Sequence, residues 1–208
     1  MTFLFAKVVK NDESTYKTLI FMAKVYEFLA DGFEEIEALA VVDVLRRGGI
    51  DIQTVSIMGR EWVETSHGVK VMADLMFEQA ELGDADMLLL PGGMPGSLHL
   101  KEHEGLKQAL LAQAAAGKRI GAICAAPMVL AAHGLLDGKK ATCYPGFETH
   151  LPNAIYTAQL VEEDGLITTG EGPAAVLPYA YAILSYFVGE EKSKEIQDQM
   201  LYTHLMAQ

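Results

Sequence analysis

The chain has 208 residues, half of them hydrophobic, which is enough for one globular domain with a substantial core. Its 28 acidic residues outnumber its 16 basic ones and give a net charge of −12, which disfavours nucleic acid and anionic membrane surfaces as partners. No apolar run reaches the ~18 residues that a membrane-spanning helix needs. Two cysteines do not make a disulfide framework, and they suit a reducing cytoplasm.

Residues 1–22 differ in pattern from the rest of the chain and are interpreted as an N-terminal extension to a single domain over residues 23–208. The extension has neither the apolar core nor the cleavage site of a signal peptide. At Met22 the sequence MAKVYEFLADGFEEIE predicts a strand followed directly by a helix. Two interpretations stay open. The extension is an added strand or loose arm, or Met22 is the native start and the extension is upstream sequence that has been translated.

From residue 24 onward, short β-rich runs alternate with helical patterns, which indicates a doubly wound, mainly parallel sheet. The predicted strands are Lys24–Leu29, Ile52–Ile57, Met87–Leu90, Arg119–Ile123, Ala158–Glu162 and Leu166–Thr169, with a small hairpin between Gly59 and Ala73. The predicted helices are Phe33–Arg47, Glu102–Ala116, Pro127–His133, Ala174–Val188 and Ser193–Leu205. Sites in such sheets form beyond the carboxyl ends of the strands, and three of these junctions have unusual sequences.

The first junction leads from the first strand of the domain into a helix. Asp31 is predicted to cap this helix, with Glu34 three residues later in the capping-box position. At 3.6 residues per turn, Glu37 falls on the same apolar stripe as Phe33 and Val41, so its carboxyl group is predicted to be buried. A buried carboxyl group needs a partner, and Glu37 is therefore either a structural acid bonded to a backbone amide or a functional one.

The second junction is Pro91-Gly92-Gly93, which comes directly after an apolar strand. Glycines at such a place let backbone N–H groups approach a ligand or point together, although the same sequence is also an ordinary way to leave a sheet. The chain has no G-x-x-x-x-G-K-[ST] or helix-opening G-x-G-x-x-G pattern at this point, so a nucleotide phosphate site is not predicted.

The third junction contains Cys124, between a strand and a helix whose first turn suits Pro127. Its small neighbours, such as Gly121 and Ala125, are what a sharp strand–nucleophile–helix turn requires. Free N–H groups at a helix N-terminus stabilise a thiolate, so a lowered thiol pKa is expected. The alternative is a buried structural cysteine, and the position in the turn favours a nucleophile.

Together the three junctions resemble the ThiJ/PfpI superfamily, and most closely its branch of the human Parkinson-disease protein deglycase and bacterial relatives. The matching segments are GFEEIE (32–37), LLPGG (89–93), AICAAP (122–127), GLI (165–167) and GP (172–173). They occur in family order between residue 23 and about residue 190. The resemblance implies a flavodoxin-like α/β sandwich, similar to class I glutamine amidotransferases, which is usually a homodimer.

The resemblance also implies roles for individual residues. Cys124 would be the nucleophile and Glu37 its hydrogen-bonding acid, while the amides of Gly93 and Ala125 would form an oxyanion site. Two anions do not share a small dry pocket, so the pair is expected to hold one proton. The helix terminus favours the thiolate, which would leave Glu37 neutral and donating to it.

Two departures from the family pattern limit the function. The protease-like branch has a histidine directly after the nucleophile, where this chain has Ala125, so peptidase activity is disfavoured. Relatives in the deglycase branch often have a histidine where this chain has Tyr144, a possible accessory residue that is a poor base near neutral pH. A base-dependent step would then need Glu37.

The remaining histidines near these motifs are His67, His133 and His150, and their spacing recommends no role. They are interpreted as surface or core residues. No Cys/His cluster has the spacing of metal ligands, so neither a metal nor another cofactor is predicted.

The leading function that the resemblance implies is a cysteine-dependent, glutathione-independent glyoxalase or deglycase. Its substrates would be reactive 2-oxoaldehydes such as methylglyoxal, or their protein adducts. The alternative is a redox-responsive stress or chaperone protein without turnover, in which Cys124 is oxidised to a sulfinate that Glu37 stabilises. A thiazole-monophosphate biosynthesis protein is a further possibility that no residue supports.

Overall fold

The computed structural model describes residues 23–208 and, before them, the backbone of β1 (Phe5–Val8) and β2 (Thr18–Phe21), which pair antiparallel. The predictions for the rest of residues 1–22 lie outside the described residues. The further strands are β3 (Lys24–Leu29), β4 (Asp51–Ser56), β5 (Trp62–Glu64), β6 (Lys70–Met72), β7 (Leu75–Met76), β8 (Met87–Leu90), β9 (Arg119–Ile123), β10 (Lys140–Ala141), β11 (Ile155–Tyr156), β12 (Val161–Asp164) and β13 (Ile167–Gly170). The helices are α1 (Glu35–Arg47), α2 (Gly96–Glu102), α3 (Glu104–Ala115), α4 (Pro127–Ala132), α5 (Val176–Val188), α6 (Glu190–Gln199) and α7 (Tyr202–Met206).

The central sheet has the strand order β12-β13-β9-β8-β3-β4-β7 and is parallel except for the β12–β13 pair at one edge. The predicted doubly wound, mainly parallel architecture is therefore confirmed. Strands β5 and β6 form the predicted hairpin, and β10 and β11 form a short parallel pair. Within the described part of the chain, no helix is both long and apolar enough to cross a membrane.

Helices cover both faces of the sheet. Helices α1, α5 and α6 pack their apolar side chains on one face, and α2, α3 and α4 pack theirs on the other. The first face carries Val41 and Leu45 from α1 and Leu184 from α5. Leu106 of α3 and Val129 of α4 belong to the core on the second face. The carboxyl ends of β3, β8 and β9 open between these layers, which brings the three unusual junctions together.

Two of the predicted helices have other bounds in the structure. The predicted helix at 102–116 is α3, which begins at Glu104 because the Nδ1 of His103 caps it by accepting the Leu106 amide at 3.0 Å, and the preceding α2 was not predicted. The predicted helix at 193–205 is α6 followed by α7, with Leu201 between them at a φ of 59°. The two late strands begin later than predicted, and Ala158, with a φ of 51°, cannot continue an extended strand.

The predicted capping box at the start of α1 is wrong. Asp31 does not cap the helix, because its carboxylate accepts hydrogen bonds from the Arg60 side chain and from the Glu64 amide at 3.0 Å. Glu34 occupies the N-cap position without a side-chain capping bond, and its carboxylate accepts from the Ser66 hydroxyl at 3.0 Å. Contacts with the β5–β6 hairpin replace the local cap.

Candidate functional site

Cys124 lies in a sharp turn between β9 and α4. Its φ is 64°, a left-handed conformation that costs a residue with a side chain about 1–3 kcal/mol. Its N–H donates to the Gly170 carbonyl at 2.9 Å, and its carbonyl accepts from the Tyr144 amide at 2.9 Å. These bonds to two other segments hold the strained turn, which has the strand–cysteine–helix form that the small neighbouring residues predict.

Glu37 lies on the buried face of α1 and is 0 % exposed, as the apolar stripe predicts. Its Oε2 accepts a hydrogen bond from the Gly92 amide at 2.8 Å. A side-chain hydrogen bond joins its carboxyl group to the thiol of Cys124. Its Oε1 is buried and has no hydrogen-bond partner among the described residues. One oxygen of the carboxyl group is thus held by a backbone amide, and the other oxygen lacks a hydrogen-bond donor.

The glycine loop after β8 passes close to this pair. A Cβ atom at Gly92 would lie 2.5 Å from Glu37 Oε2 and 2.6 Å from the Cβ of Cys124, so only glycine fits there. The amides of Gly93 and Ala125 both donate hydrogen bonds to the sulfur of Cys124. The structure therefore brings together the four residues that the sequence singled out, with two N–H groups directed at the sulfur.

Burial raises the pKa of both members of the pair. It raises the pKa of Glu37 to about 7, against the hydrogen bonds from Cys124 and Gly92. It also raises the pKa of the Cys124 thiol, as does the charge of Glu37, while the amides of Ala125 and Gly93 act in the opposite direction. The expected lowering of the thiol pKa is therefore wrong while Glu37 is ionised. Since both pKa values are raised, the pair retains one proton over a wide range above pH 7.

Tyr144 lies at the rim of the same turn. Its amide donates to the Cys124 carbonyl, and its ring packs edge-on against Phe147 at a centroid distance of 6.3 Å. The side chain is 46 % exposed. Tyr144 is thus joined to Cys124 through its backbone, and its side chain is partly exposed.

The β5–β6 hairpin brings His67 to the start of α1, where its Nδ1 lies 3.1 Å from Glu35 Oε2 and 3.7 Å from Glu34 Oε2. Possible ligand atoms of these three residues lie within 4.8 Å of one another. They could hold a cation, but the side chains already pair with one another at the surface. Sequence spacing does not reveal this group, because His67 is about thirty residues away along the chain. His133 is half-buried, and His150 is exposed beside Phe147.

Sequence reasoning missed two buried polar side chains near this site. Glu27 on β3 is 2 % exposed and Tyr179 on α5 is 1 % exposed. Both interact electrostatically with Glu37. Glu27 could have been found, because it is a charged residue within the otherwise apolar centre of a buried strand. A tyrosine within an apolar helix carries no comparable signal.

Comparisons with known proteins show the family of this chain. The model of the DJ-1/PfpI family matches residues 23–186. The Drosophila melanogaster protein dj-1beta is 35 % identical over 178 residues, which cover 85 % of this chain and 95 % of that protein. The crystal structure of Drosophila DJ-1beta has a TM-score of 0.84 at 35 % identity, over 87 % of this chain and 98 % of that one.

Two further relatives are also similar to this chain. A Caenorhabditis elegans protein named as a glutathione-independent glyoxalase is 31 % identical over 166 residues, 78 % of this chain and 87 % of that protein. DJ-1 homolog B of Arabidopsis thaliana is 36 % identical over 175 residues, 83 % of this chain. The chain spans only 40 % of the length of that relative. The match of the family model, the order of the motifs and the fold together show that the chain belongs to the DJ-1/PfpI family.

Proposed function

We propose that the protein is a cysteine-dependent, glutathione-independent glyoxalase or deglycase acting on reactive 2-oxoaldehydes or their protein adducts. The observation that carries the proposal is the buried Cys124–Glu37 pair, with the amides of Gly93 and Ala125 directed at the sulfur. The name of the C. elegans relative supports this choice of reaction. The catalytic unit would be residues 23–208, with residues 1–22 as an extension.

Attack of sulfur on the aldehyde would be the first step. The bond from Sγ of Cys124 to the aldehyde carbon forms, and the carbonyl π electrons move to the oxygen. Attack leaves the proton of the pair on Glu37, whichever atom carries it beforehand. The amides of Gly93 and Ala125, which bind the sulfur at rest, can then stabilise the oxyanion. Glu37 gives its proton to that oxygen, and a hemithioacetal results.

Rearrangement of methylglyoxal to lactate then requires a proton transfer between adjacent carbons. The former aldehyde carbon loses its hydrogen to a base, an enediol forms, and the neighbouring carbon is protonated to give a thioester on Cys124. Water hydrolyses the thioester, so that methylglyoxal and one water give lactate without an oxidant or cofactor. Glu37, with a pKa of about 7, suits both transfers near neutral pH, whereas the phenol of Tyr144 is a poor base.

The test is lactate formation from methylglyoxal by the purified chain without glutathione. We expect Cys124→Ala to abolish the activity, because no other residue in the site can form the thioester. Cys143→Ala is the matched control, since it removes the second buried thiol outside the site. Wild-type rates in Cys124→Ala would contradict the proposal.

The same geometry supports a second candidate, a redox-responsive stress protein. Two amides and a protonated carboxyl group around one sulfur would also stabilise a sulfinate on Cys124. Peroxide treatment followed by mass measurement of the Cys124 peptide separates the two functions. Stoichiometric sulfinate formation without any lactate formation would favour the redox function over turnover.

We also propose that the protein is a cytoplasmic homodimer. On the outer face of α1, Ile36 and Leu39 are 54 % and 40 % exposed, and neighbouring exposed apolar side chains often mark an interface. The two free thiols suit a reducing compartment. Ile36→Asp should dissociate the dimer in sedimentation velocity, whereas Leu205→Asp, at an exposed site on α7, should not. A monomeric wild-type chain would contradict the proposal.

A further inference from the structure

The core between β3, α1 and α5 contains three polar atoms without a hydrogen-bond partner among the described residues. They are Glu27 Oε2, Glu37 Oε1 and the hydroxyl oxygen of Tyr179. Their side chains are at most 2 % exposed. Native proteins leave few buried polar atoms unpaired. Three such atoms on the same face of one sheet indicate that these groups satisfy one another through hydrogen bonds, directly or through water.

The strand register places Glu27 and Tyr179 on the same side of the sheet. Glu27 pairs with Leu89 on β8, and Leu89 pairs with Gly121 on β9. The Tyr179 hydroxyl lies over Gly121, where a Cβ atom would collide with it. The missing side chain at Gly121 makes room for a hydroxyl group in an apolar layer. Packing alone would not need that hydroxyl group, since a phenylalanine ring fills nearly the same space.

The charges on this side of the sheet come from the same few groups. Burial, and then the charge of Glu37, raise the pKa of Glu27 well above its ordinary value. Burial, followed by the charges of Glu27 and Glu37, raises the pKa of Tyr179. The carboxyl group of Glu37 has two further charged or titratable neighbours among the described residues. They are the thiol of Cys124 and the carboxylate of Glu34. The raised pKa values favour the neutral forms of Glu27 and Tyr179, which are able to donate hydrogen bonds.

We propose that Glu27 and Tyr179 are positioning residues for the Cys124–Glu37 pair. The Glu27 carboxylic acid donates to the Tyr179 hydroxyl, and that hydroxyl donates to the free Oε1 of Glu37, directly or through a buried water molecule. This chain of donors stabilises the singly protonated pair, whether the remaining proton lies on Glu37 or on sulfur. No bond other than these hydrogen bonds changes, and both donors keep their protons. The inference deepens the proposed function and rests on it for its catalytic meaning.

The first test is the rate of Cys124 alkylation by iodoacetamide against pH, which needs no turnover. Tyr179→Phe should move the midpoint to higher pH by roughly one unit, because the pair loses a donor to its charged form. Glu27→Leu should produce a similar shift, and Glu27→Gln a smaller one, since the amide still donates. Tyr181→Phe is the matched control on the same helix, because its hydroxyl contacts Met200 Sδ at 3.3 Å, and it should not shift the midpoint.

The second test is infrared spectroscopy of the carboxyl groups, which covers the case in which Glu27→Leu fails to fold. The wild type should show a protonated carboxylic acid that persists well above the ordinary titration range of a carboxyl group and disappears in Glu27→Gln. An unchanged alkylation profile in folded Tyr179→Phe, or an ionised Glu27 at neutral pH, would overturn the inference. Absence of lactate formation in the wild type would overturn the proposed function alone, because both of these measurements would still report on the donor chain.

Discussion

The two cysteines of this chain are both free and both buried, yet their surroundings differ. Burial raises the pKa of both thiols, to about 12 for Cys143. Cys143 lies after β10 in the apolar core, where the next influences on its pKa are the charges of Glu148 and Glu171, which raise it further. Cys124 has a strained backbone, two amides directed at its sulfur and a carboxyl group that shares its proton. The two thiols therefore differ in the hydrogen-bond donors and the shared proton that only Cys124 has, and not in being buried.

The largest effect is expected when Glu37 is replaced, because this change makes the surroundings of Cys124 more like those of Cys143. Glu37→Gln keeps the shape of the side chain but cannot transfer protons. Lactate formation from methylglyoxal should fall by roughly 10²–10⁴-fold. Glu35→Gln is the matched control, because that carboxyl group lies two residues away and pairs with His67 at the surface. Equal losses in the two variants would contradict the assignment.

A second prediction concerns stability against pH. The pKa of Glu37 rises from 4.5 to about 7 on folding, so its stabilising effect is complete below about pH 4.5 and is lost as the pH rises through about 7. The loss is about 3 kcal/mol. Urea unfolding at about pH 5 and about pH 8 should show this extra loss in the wild type and not in Glu37→Gln. Parallel pH dependences in the two proteins would mean that Glu37 ionises as freely in the folded chain as in the unfolded one.

A smaller effect is expected in the reactivity of the two thiols. Iodoacetamide near neutral pH should modify Cys124 before Cys143, because Cys124 is 8 % exposed and has two amides directed at its sulfur, whereas Cys143 is 0 % exposed. The measurement is the mass of each peptide against time. Folded Glu37→Leu should widen the difference in rate between the two thiols, because the charge of Glu37 raises the pKa of the Cys124 thiol. Preferential modification of Cys143 would show that the turn does not activate its cysteine.

The smallest effect is expected when residues 1–21, which precede both cysteines, are removed. The family match begins at residue 23, so a chain starting at Met22 should keep its melting temperature and its thiol reactivity. For a domain of this size, about 1 kcal/mol corresponds to about 2–4 °C. A drop of more than a few degrees would show that the first 21 residues stabilise the domain.

The sequence predicted those features that depend on local pattern. The apolar stripe of α1 located Glu37 on the buried face, and the small residues around Cys124 predicted the turn. Features that depend on residues distant in sequence were missed, such as the hydrogen bond from Arg60 to the carboxylate of Asp31 and the effect of the Glu27 charge on the pKa of Tyr179. The direction of the thiol pKa was also wrong, because a helix terminus is visible in a sequence and the depth of burial is not.

The most direct test of the shared proton is the thiolate absorbance against pH in a Cys143→Ala background, which leaves one thiol. With Glu37 present, we expect the thiolate to form only well above pH 7, because the carboxyl group loses its proton near pH 7 and its charge then raises the thiol pKa. Glu37→Gln removes that charge and keeps a donor to sulfur, so the midpoint of thiolate formation should fall. Glu37→Leu also removes the charge but leaves no donor, so its midpoint should lie between those of Glu37→Gln and the parent protein. A Glu37→Leu titration identical to that of the parent protein would contradict the claim that Cys124 and Glu37 share one proton.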